Sequence, residues 1–199
     1  MAHQASHHHS DDVYHLKYKI CISGSAETTH APPGTLEKAE QLGKLIAEHG
    51  MILVTGATTG LPFWGAKGAK EAGGIVIGFS PAASKSAHVK AYRLPVDYHD
   101  LIVYTGFNYS GRNLLLTRAA DAVITIGGRM GTLNEFTIAF EDQKPQGILT
   151  DTGGLADRLK DIVENAHRGN GKIVYESDPA VLLEKVIALI HEEEKDIKE

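Results

Sequence analysis

The sequence is poor in cysteine, in long apolar runs and in positive charge. Cys21 is its one cysteine among 199 residues, and it stands in an apolar stretch. A single cysteine cannot close an internal disulfide, and no cysteine–histidine spacing of the metal-binding kind surrounds it, so we expect a buried thiol and no metal site. No apolar run approaches the ~20 residues that a membrane-spanning helix needs, and no signal-peptide pattern is found. These absences favour a cytoplasmic protein with no membrane partner.

The charge balance argues against a general nucleic-acid partner. Acidic residues number 25 and basic residues 20, which gives a formal net charge of −5. Proteins that bind nucleic acids broadly carry a basic surface, so an anionic ligand would have to be held by a local site. Residues 1–16 are polar and hold five of the eleven histidines. We interpret them as a disordered tail or cloning remnant, with a metal-binding histidine tract as the alternative.

Residues 17–199 have the composition and length of one domain. From Tyr18 onward, short apolar runs without alternation are typical of strands that are covered on both faces. The predicted strands are Lys19–Ser23, Met51–Thr55, Ile75–Phe79, Leu101–Tyr104, Ala122–Ile126, Gln146–Leu149 and Lys172–Tyr175.

Helical patterns fill the gaps between these runs. The first helix is predicted from Leu36 to Ile46 with Gly50 near its C-terminus, and the last one from Ser177-Asp178-Pro179 onward. Ser80–Asp100 is the least regular stretch and is predicted to form a loop over the site. The other predicted helices are Leu61–Ala72, Arg112–Ala120, Thr132–Phe140 and Leu155–Ala166.

Repeated strand–helix–strand units predict an α/β fold. We expect a Rossmann-like three-layer sandwich, in which a mostly parallel sheet of about seven strands has helices on both faces. Ligands of such folds bind beyond the carboxyl ends of the strands, near the point where the strand order reverses. The turns that follow the strands are therefore the places to search for a site.

The densest turn signal is a glycine-rich loop between a strand and a helix. Backbone N–H groups in such a loop approach a ligand closely, and a helix N-terminus favours an anion. Arg129 could add a charged contact to a phosphate. The alternative is structural, because Thr132 and Glu135 have the spacing of a capping box. The loop comprises Gly127, Gly128, Arg129, Met130, Gly131 and Thr132.

Three further turns are weaker signals on their own. Arg112 and Asn113 stand at a predicted helix start, where a cation opposes the helix dipole and needs an anionic partner, either a ligand or a nearby acid. The other two turns, after the first and second strands, have a composition that many strand–helix turns share. All four turns are nonetheless predicted at the same edge of the sheet, and together they favour a ligand site there. These two turns contain Gly24 and Ser25, and Gly56, Thr58 and Gly60. The dinucleotide fingerprint and the P-loop spacing are both absent.

Taken together, these motifs resemble the Lonely Guy family, also labelled lysine decarboxylase-like, and most closely its molybdenum-cofactor-carrier-like branch. The resemblance covers roughly residues 19–159. It depends on Thr105-Gly106, Arg112-Asn113, Asp121-Ala122-Val123-Ile124 and the glycine loop with Gly131-Thr132-Leu133 and Glu135. Where Lonely Guy enzymes have Arg-Lys with a His two positions earlier, this chain has Asn113 and Ser110. Arg129 replaces a glycine of the carrier-like loop, so it either crowds a ligand or adds a phosphate contact.

The resemblance implies two different functions, and the presence of both Arg112 and Glu135 favours the first of them. One is a phosphoribohydrolase that cleaves the N-glycosidic bond of a nucleoside 5′-monophosphate, of the AMP or cytokinin type, with Arg112 and Glu135 as catalytic residues and no cofactor. The other is a non-catalytic carrier that holds a nucleotide or the molybdenum cofactor in the same pocket. Both take a small phosphorylated ligand. The resemblance also implies a homodimer or a larger homo-oligomer.

Overall fold

The fold is a parallel sheet covered by helices on both faces. The structure is a computed structural model that describes residues 16–198, so most of the predicted histidine-rich tail lies outside the described residues. All six strand pairings are parallel, and the strand order is β4-β3-β2-β1-β5-β6-β7. The strands are β1 (Lys19–Gly24), β2 (Ile52–Thr55), β3 (Ile75–Ser80), β4 (Leu101–Tyr104), β5 (Ala122–Ile126), β6 (Gln146–Leu149) and β7 (Ile173–Glu176).

Helices connect the strands as crossover units. Between β3 and β4 the chain is mostly irregular, with one π-helical turn at Ala87–Ala91, and a short 3-10 turn at Ala156–Arg158 precedes the fifth helix. The helices are α1 (Thr35–Glu48), α2 (Leu61–Glu71), α3 (Asn108–Ala119), α4 (Met130–Glu141), α5 (Leu159–Ala166) and α6 (Pro179–Lys198).

The core lies on both sides of the sheet. On one face, Leu42 of α1, Leu61 of α2 and Val186 of α6 pack against the sheet. On the other face, Leu116 of α3 and Ala139 of α4 pack over Cys21, Val54 and Val123. Phe136 of α4 and Leu159 of α5 extend this second layer over β6. The predicted three-layer architecture and the buried thiol of Cys21 are therefore confirmed.

The strand order reverses between β1 and β5. The chain runs from β1 outward to β4 on one side, and then returns to pair β5 with the other side of β1. The helices after β1 and β2 therefore cover one face of the sheet and the helix after β5 covers the other, which leaves a crevice at the carboxyl ends of the two central strands. Gly24 and Ile126 are paired at these ends.

Three helix starts differ from the sequence prediction. Helix α5 begins at Leu159 rather than at Leu155, because a 3-10 turn at Ala156–Arg158 precedes it. Helix α3 begins at Asn108 rather than at Arg112, because Gly111 is accommodated inside the helix instead of ending the loop. Helix α4 begins at Met130 rather than at Thr132. The predicted helix start at Pro179 is confirmed, and the carboxylate of Asp178 accepts the N–H groups of Ala180 and Val181 at 2.9 and 3.0 Å.

No helix within residues 16–198 is long and apolar enough to span a lipid bilayer.

Candidate functional site

A cavity of about 420 Å³ opens at the carboxyl ends of the central strands. Turns after β1, β2 and β5 and the first residues of α3 and α4 surround it, as the strand reversal predicts. Ten of the fourteen residues selected from the sequence line it, so distant segments of the chain converge here. These ten are Gly24, Ser25, Gly56, Thr58, Arg112, Asn113, Arg129, Gly131, Thr132 and Glu135.

Arg112 is a buried cation that faces this cavity. Its residue is only 4% exposed, and its Nη1 lies 3.9 Å from Oε1 of Glu135, which is an ion pair but too long for a hydrogen bond. The ring of Tyr109 lies 5.8 Å from Cζ, within cation–π range. Within the described part of the chain, no group accepts a hydrogen bond from the guanidinium. A buried guanidinium with unused donors is suited to bind an anion.

Gly56 makes room for this guanidinium. A Cβ atom at position 56 would lie 1.7 Å from Nη1 of Arg112 and 2.8 Å from Cζ. Such distances are far below van der Waals contact, so any side chain here would displace Arg112. The turn after β2 therefore sets the position of a side chain that α3 supplies.

Glu135 is a buried carboxyl that lies beside Arg112. It is 7% exposed, and the hydroxyl of Ser23 donates a hydrogen bond to its Oε2. With the amide of Asn113 turned so that its nitrogen faces acceptors, that nitrogen lies 2.9 Å from Oε1. Burial raises the pKa of Glu135 from its ordinary value of 4.5, although Arg112 and the Ser23 hydroxyl act to lower it.

The structure overturns the capping-box interpretation of Thr132 and Glu135. Helix α4 begins at Met130 with Arg129 as its N-cap, and no side chain caps it. Thr132 is thus the third helical residue and Glu135 the sixth, one turn too far along to reach back to the cap. The first main-chain bond of the helix runs from Leu133 N–H to the Arg129 carbonyl. The N–H groups of Gly131 and Thr132 therefore stay available at the cavity wall.

The two glycines of the loop after β5 line a different cavity. Gly127 donates its N–H to the Thr152 hydroxyl at 2.9 Å, so this group is not available to a phosphate. The carbonyls of Gly127 and Gly128 accept the N–H groups of Ala156 and Leu155. Both glycines border a second cavity of about 190 Å³, which shares Ser25 and Arg129 with the first.

Gly60 and Met130 line neither cavity. Gly60 has a φ of +72°, and a Cβ atom there would lie 2.2 Å from the Ser25 carbonyl oxygen, so it allows the turns after β1 and β2 to pack together. Met130 is 76% exposed. Ligand contacts of these two residues stay a prediction, since Gly60 supports the packing of two turns and the side chain of Met130 is exposed to solvent.

Sequence reasoning missed several residues at the site. Ser23 follows the apolar run 20–22 of β1, and a serine in that place is a signal of a polar partner. Tyr109 stood inside a selected turn but was not chosen. Leu94 comes from the irregular segment 80–100, which does reach the site as expected. The cavity is also lined by Ile22, Ala26, Thr59 and Pro62.

No group of three or more histidine, cysteine, aspartate or glutamate side chains within residues 16–198 is placed to hold a metal ion.

Known proteins share this architecture along most of the chain. The molybdenum cofactor carrier protein of Chlamydomonas reinhardtii superposes with a TM-score of 0.72 and 28% identity, over 89% of this chain and 99% of that one. The molybdenum cofactor binding protein of Rippkaea orientalis gives a TM-score of 0.69 and 31% identity, over 89% and 97%. An uncharacterised protein of Archaeoglobus fulgidus is 33% identical over 110 residues, which are 55% of this chain and 67% of that protein.

The family of this chain is shown by a match to a family model over most of its length. The family model described as the SLOG cluster4 family matches residues 17–183, which include every strand, the first five helices and both cavities. The matched range includes the residues 19–159 over which the motifs resemble a known family. The solved carrier and cofactor-binding proteins are consistent with the molybdenum-cofactor-carrier-like branch of that family. The chain therefore belongs to the SLOG cluster4 family.

Proposed function

We propose that this protein binds and carries a phosphorylated pterin- or nucleotide-type ligand, as molybdenum cofactor carrier proteins do, without converting it. The observation that carries the proposal is the buried guanidinium of Arg112, which faces the larger cavity with its hydrogen-bond donors unused. The solved carrier and cofactor-binding proteins that share the fold support it over a hydrolytic role. The ligand would be cargo rather than a resident cofactor.

The residues of the cavity fit such a cargo. Its volume of about 420 Å³ falls within the roughly 300–1,000 Å³ of small-molecule sites. Arg112 and Arg129 supply positive charge, and the uncapped start of α4 supplies free N–H groups and a favourable dipole at Gly131 and Thr132. A phosphate therefore finds charge and hydrogen-bond donors on the same wall.

The test is to measure what the protein retains when it is produced in cells that make the molybdenum cofactor. We expect denaturation of the purified protein to release a phosphorylated pterin, seen by the fluorescence of its oxidised form, together with molybdenum measured by mass spectrometry. Arg112→Ala should lower the recovered pterin at least tenfold, since a hydrogen bond to a charged group is worth about 1.5–3 kcal/mol. Equal recovery from Arg112→Ala would contradict the proposal. Glu48→Gln, an exposed change on α1, is the matched control.

A phosphoribohydrolase is the second candidate, and the placement of Glu135 favours it. This carboxyl lies in the cavity beside Arg112, where it could stabilise the positive sugar that forms as a base departs, or take the proton of the water that attacks that sugar. Chromatography of AMP incubated with the protein decides between the two functions. A hydrolase should release adenine, and Glu135→Gln should slow that release by at least ~100-fold. Binding of AMP without any release of base leaves the carrier as the function.

Assembly into a homodimer or larger oligomer remains a proposal that rests on the family resemblance. Leu114 and Leu115 on the outer side of α3 are more than a third exposed, which is consistent with a covered helix face in an assembly. Light scattering on the eluate of a size-exclusion column measures the mass of the assembled protein.

A further inference from the structure

The smaller cavity lies next to the proposed cargo site and has a distinct lining. Its volume of about 190 Å³ is below the range of sites that hold a whole small molecule, so it is suited to one part of a larger ligand. It shares Ser25 and Arg129 with the larger cavity. A ligand that extends from one cavity into the other therefore passes the Arg129 side chain.

The lining of the smaller cavity combines an apolar side chain, bare glycine backbone and an aromatic ring. Leu61, which is 1% exposed, supplies an apolar surface, and Gly127, Gly128 and Gly154 border it with backbone that carries no side chain. At Gly154 a Cβ atom would lie 2.6 Å from the Gly128 carbonyl oxygen, so the two loops are in close contact. The imidazole of His30 stands at the same cavity and offers a ring for stacking.

Glu27 adds a carboxylate whose direction is fixed. Its Oε1 accepts the N–H of Thr29 at 2.9 Å and also the Thr29 hydroxyl. The Ser25 hydroxyl in turn donates to the Glu27 carbonyl at 2.5 Å, which fixes the turn that carries the side chain. Thr29 thus engages Oε1, and Glu27 is among the residues that line the smaller cavity, so its carboxylate keeps acceptor capacity there at Oε2.

A carboxylate accepts hydrogen bonds and donates none, and this selects the ring that it can bind. Guanine and pterins share a 2-amino-4-oxo pyrimidine ring, whose ring N–H and amino group are two adjacent donors, so Oε2 of Glu27 meets a donor whichever of the two it faces. Adenine presents a bare ring nitrogen beside its amino group, and that nitrogen would face the carboxylate as a second acceptor. The chemistry of Glu27 therefore favours the first kind of ring.

We infer that the smaller cavity is the ring subsite of the cargo site, and that Glu27 selects ligands with a 2-amino-4-oxo pyrimidine ring. The inference rests on the proposed function, because Arg129 at the shared wall is taken to contact the ligand's phosphate. Thr29 acts here as a positioning residue, since it contacts Glu27 and not the ring. Glu27 would thus determine which class of cargo the protein binds.

Calorimetric titration with GMP, neopterin monophosphate and AMP tests the inference. Wild-type protein should bind GMP or neopterin monophosphate, or both, about tenfold more tightly than AMP, the scale of one charged hydrogen bond that water partly screens. Glu27→Gln should remove this preference and leave the affinity for AMP unchanged. Thr29→Val should reduce the preference in part, whereas the exposed control Glu48→Gln should keep it.

The outcomes separate this inference from the proposed function. A preference for GMP alone identifies guanine as the source of the ring, and a preference for neopterin monophosphate alone identifies a pterin. Equal affinities for all three ligands, or a preference that survives Glu27→Gln, overturn the ring subsite while phosphate-dependent binding still supports the carrier. If none of the three monophosphates binds, both the ring subsite and the cargo site are wrong. Glu27 is exposed, so its variants are expected to fold, and circular dichroism checks this.

Discussion

At the scale of single residues, the site depends on a cation and a carboxyl that are buried together. Arg112 and Glu135 are each less than a tenth exposed, and they are 3.9 Å apart rather than in direct hydrogen-bond contact. Burial is the main influence on the pKa of Glu135 and raises it, and the neighbouring charge of Arg112 acts against that rise. The Ser23 hydroxyl and the missing side chain of Gly56 hold the pair in this arrangement.

The first prediction concerns Gly56→Ala. The new methyl group would occupy the place of Nη1 of Arg112, so the guanidinium has to move away from the cavity. We expect binding of AMP to weaken roughly tenfold or more, because the charged hydrogen bonds to the phosphate are lost. Calorimetric titration measures the affinity.

A double-mutant cycle is the control for this effect. In an Arg112→Ala background the side chain that Gly56→Ala displaces is absent, so the second change should cost little further affinity. Additive losses would mean that Gly56 acts on the ligand directly instead of through Arg112.

The second prediction follows from the raised pKa of Glu135. Because burial raises its pKa above 4.5 in the folded protein, the folded chain holds this proton more tightly than the unfolded chain. The resulting stability is fully present below pH 4.5 and is lost as pH rises through the folded pKa. Glu135→Gln cannot titrate. The free energy of unfolding of Glu135→Gln, relative to wild type, should therefore increase as pH rises above 4.5.

Urea unfolding of both proteins at a series of pH values, at constant ionic strength, checks this slope. If the difference in free energy of unfolding between the two proteins stays constant with pH, the pKa of Glu135 is the same in the folded and unfolded chains. A difference that falls with pH would mean that Arg112 and Ser23 outweigh burial.

At the scale of elements, α1 and α2 approach so closely that their glycines are in backbone contact. A Cβ atom on Gly43 would lie 1.9 Å from the Gly65 carbonyl oxygen, and one on Gly68 would lie 2.0 Å from the Glu40 carbonyl oxygen. Neither contact can relax by a side-chain rotation, since the opposing atoms belong to the main chain. The close approach places the start of α2 against the turn after β1, where Leu61 donates its N–H to Ser25.

The third prediction is that Gly68→Ala destabilises the protein although alanine favours helices. Overpacking costs roughly 1–3 kcal/mol, and the gain in helix propensity is at most about 1 kcal/mol. We expect a lower free energy of unfolding in urea. Gly131→Ala is the matched control, since its Cβ atom meets nothing within 4 Å and the change should keep or raise stability. Equal stabilities of the two variants would show that the helices separate without cost.

The central strands β1, β2, β5 and β6 could be predicted from the sequence because they are buried on both faces, and the half-buried β4 and β7 are apolar enough to be found in the same way. Such strands appear as short uninterrupted apolar runs, and all seven predicted runs agree with the structure to within one residue at either end. The start of α6 was equally clear, since Asp178 and Pro179 act locally. Elements whose structure is set by neighbouring residues could therefore be predicted from the sequence alone.

The role of Glu135 could not be predicted from the local sequence. Its spacing from Thr132 satisfies the capping-box rule, and nothing nearby in the sequence contradicts that rule. What decides its position is the hydroxyl of Ser23, which is 112 residues away along the chain and is brought near by the pairing of β1 with β5. A contact distant in sequence also explains why the glycine loop borders two cavities instead of one. The hydroxyl of Thr152, 25 residues further along the chain, accepts the N–H of Gly127 and holds this part of the loop at the smaller cavity.

At the scale of the whole molecule, ligand binding and folding are linked. A ligand that binds only the folded protein stabilises it by about 2.7 kcal/mol at a concentration of 100 times Kd. For a chain of this length, that corresponds to a rise in Tm of roughly 5–10 °C. The fourth prediction is that AMP produces a rise of this order, whereas adenosine, which lacks the phosphate, produces much less.

Differential scanning fluorimetry with AMP and adenosine at matched concentrations makes the comparison. Equal rises for the two ligands would mean that the phosphate contributes nothing, against the proposed part of Arg112, Arg129 and the start of α4. Inorganic phosphate in the same experiment measures how much of the effect the anion alone supplies.

The central position of β1 has a consequence for the order in which the molecule can assemble. Its partner β5 begins about a hundred residues later, at Ala122, so one edge of β1 stays unpaired until the chain has closed that long loop. Contacts of such large sequence separation make folding slow, because the loop entropy is lost before the pairing compensates for it. Glu135, which follows β5, reaches Ser23 only after this closure. A ligand added during refolding therefore cannot speed the early steps, and recovery of binding marks the docking of the second half of the sheet onto the first.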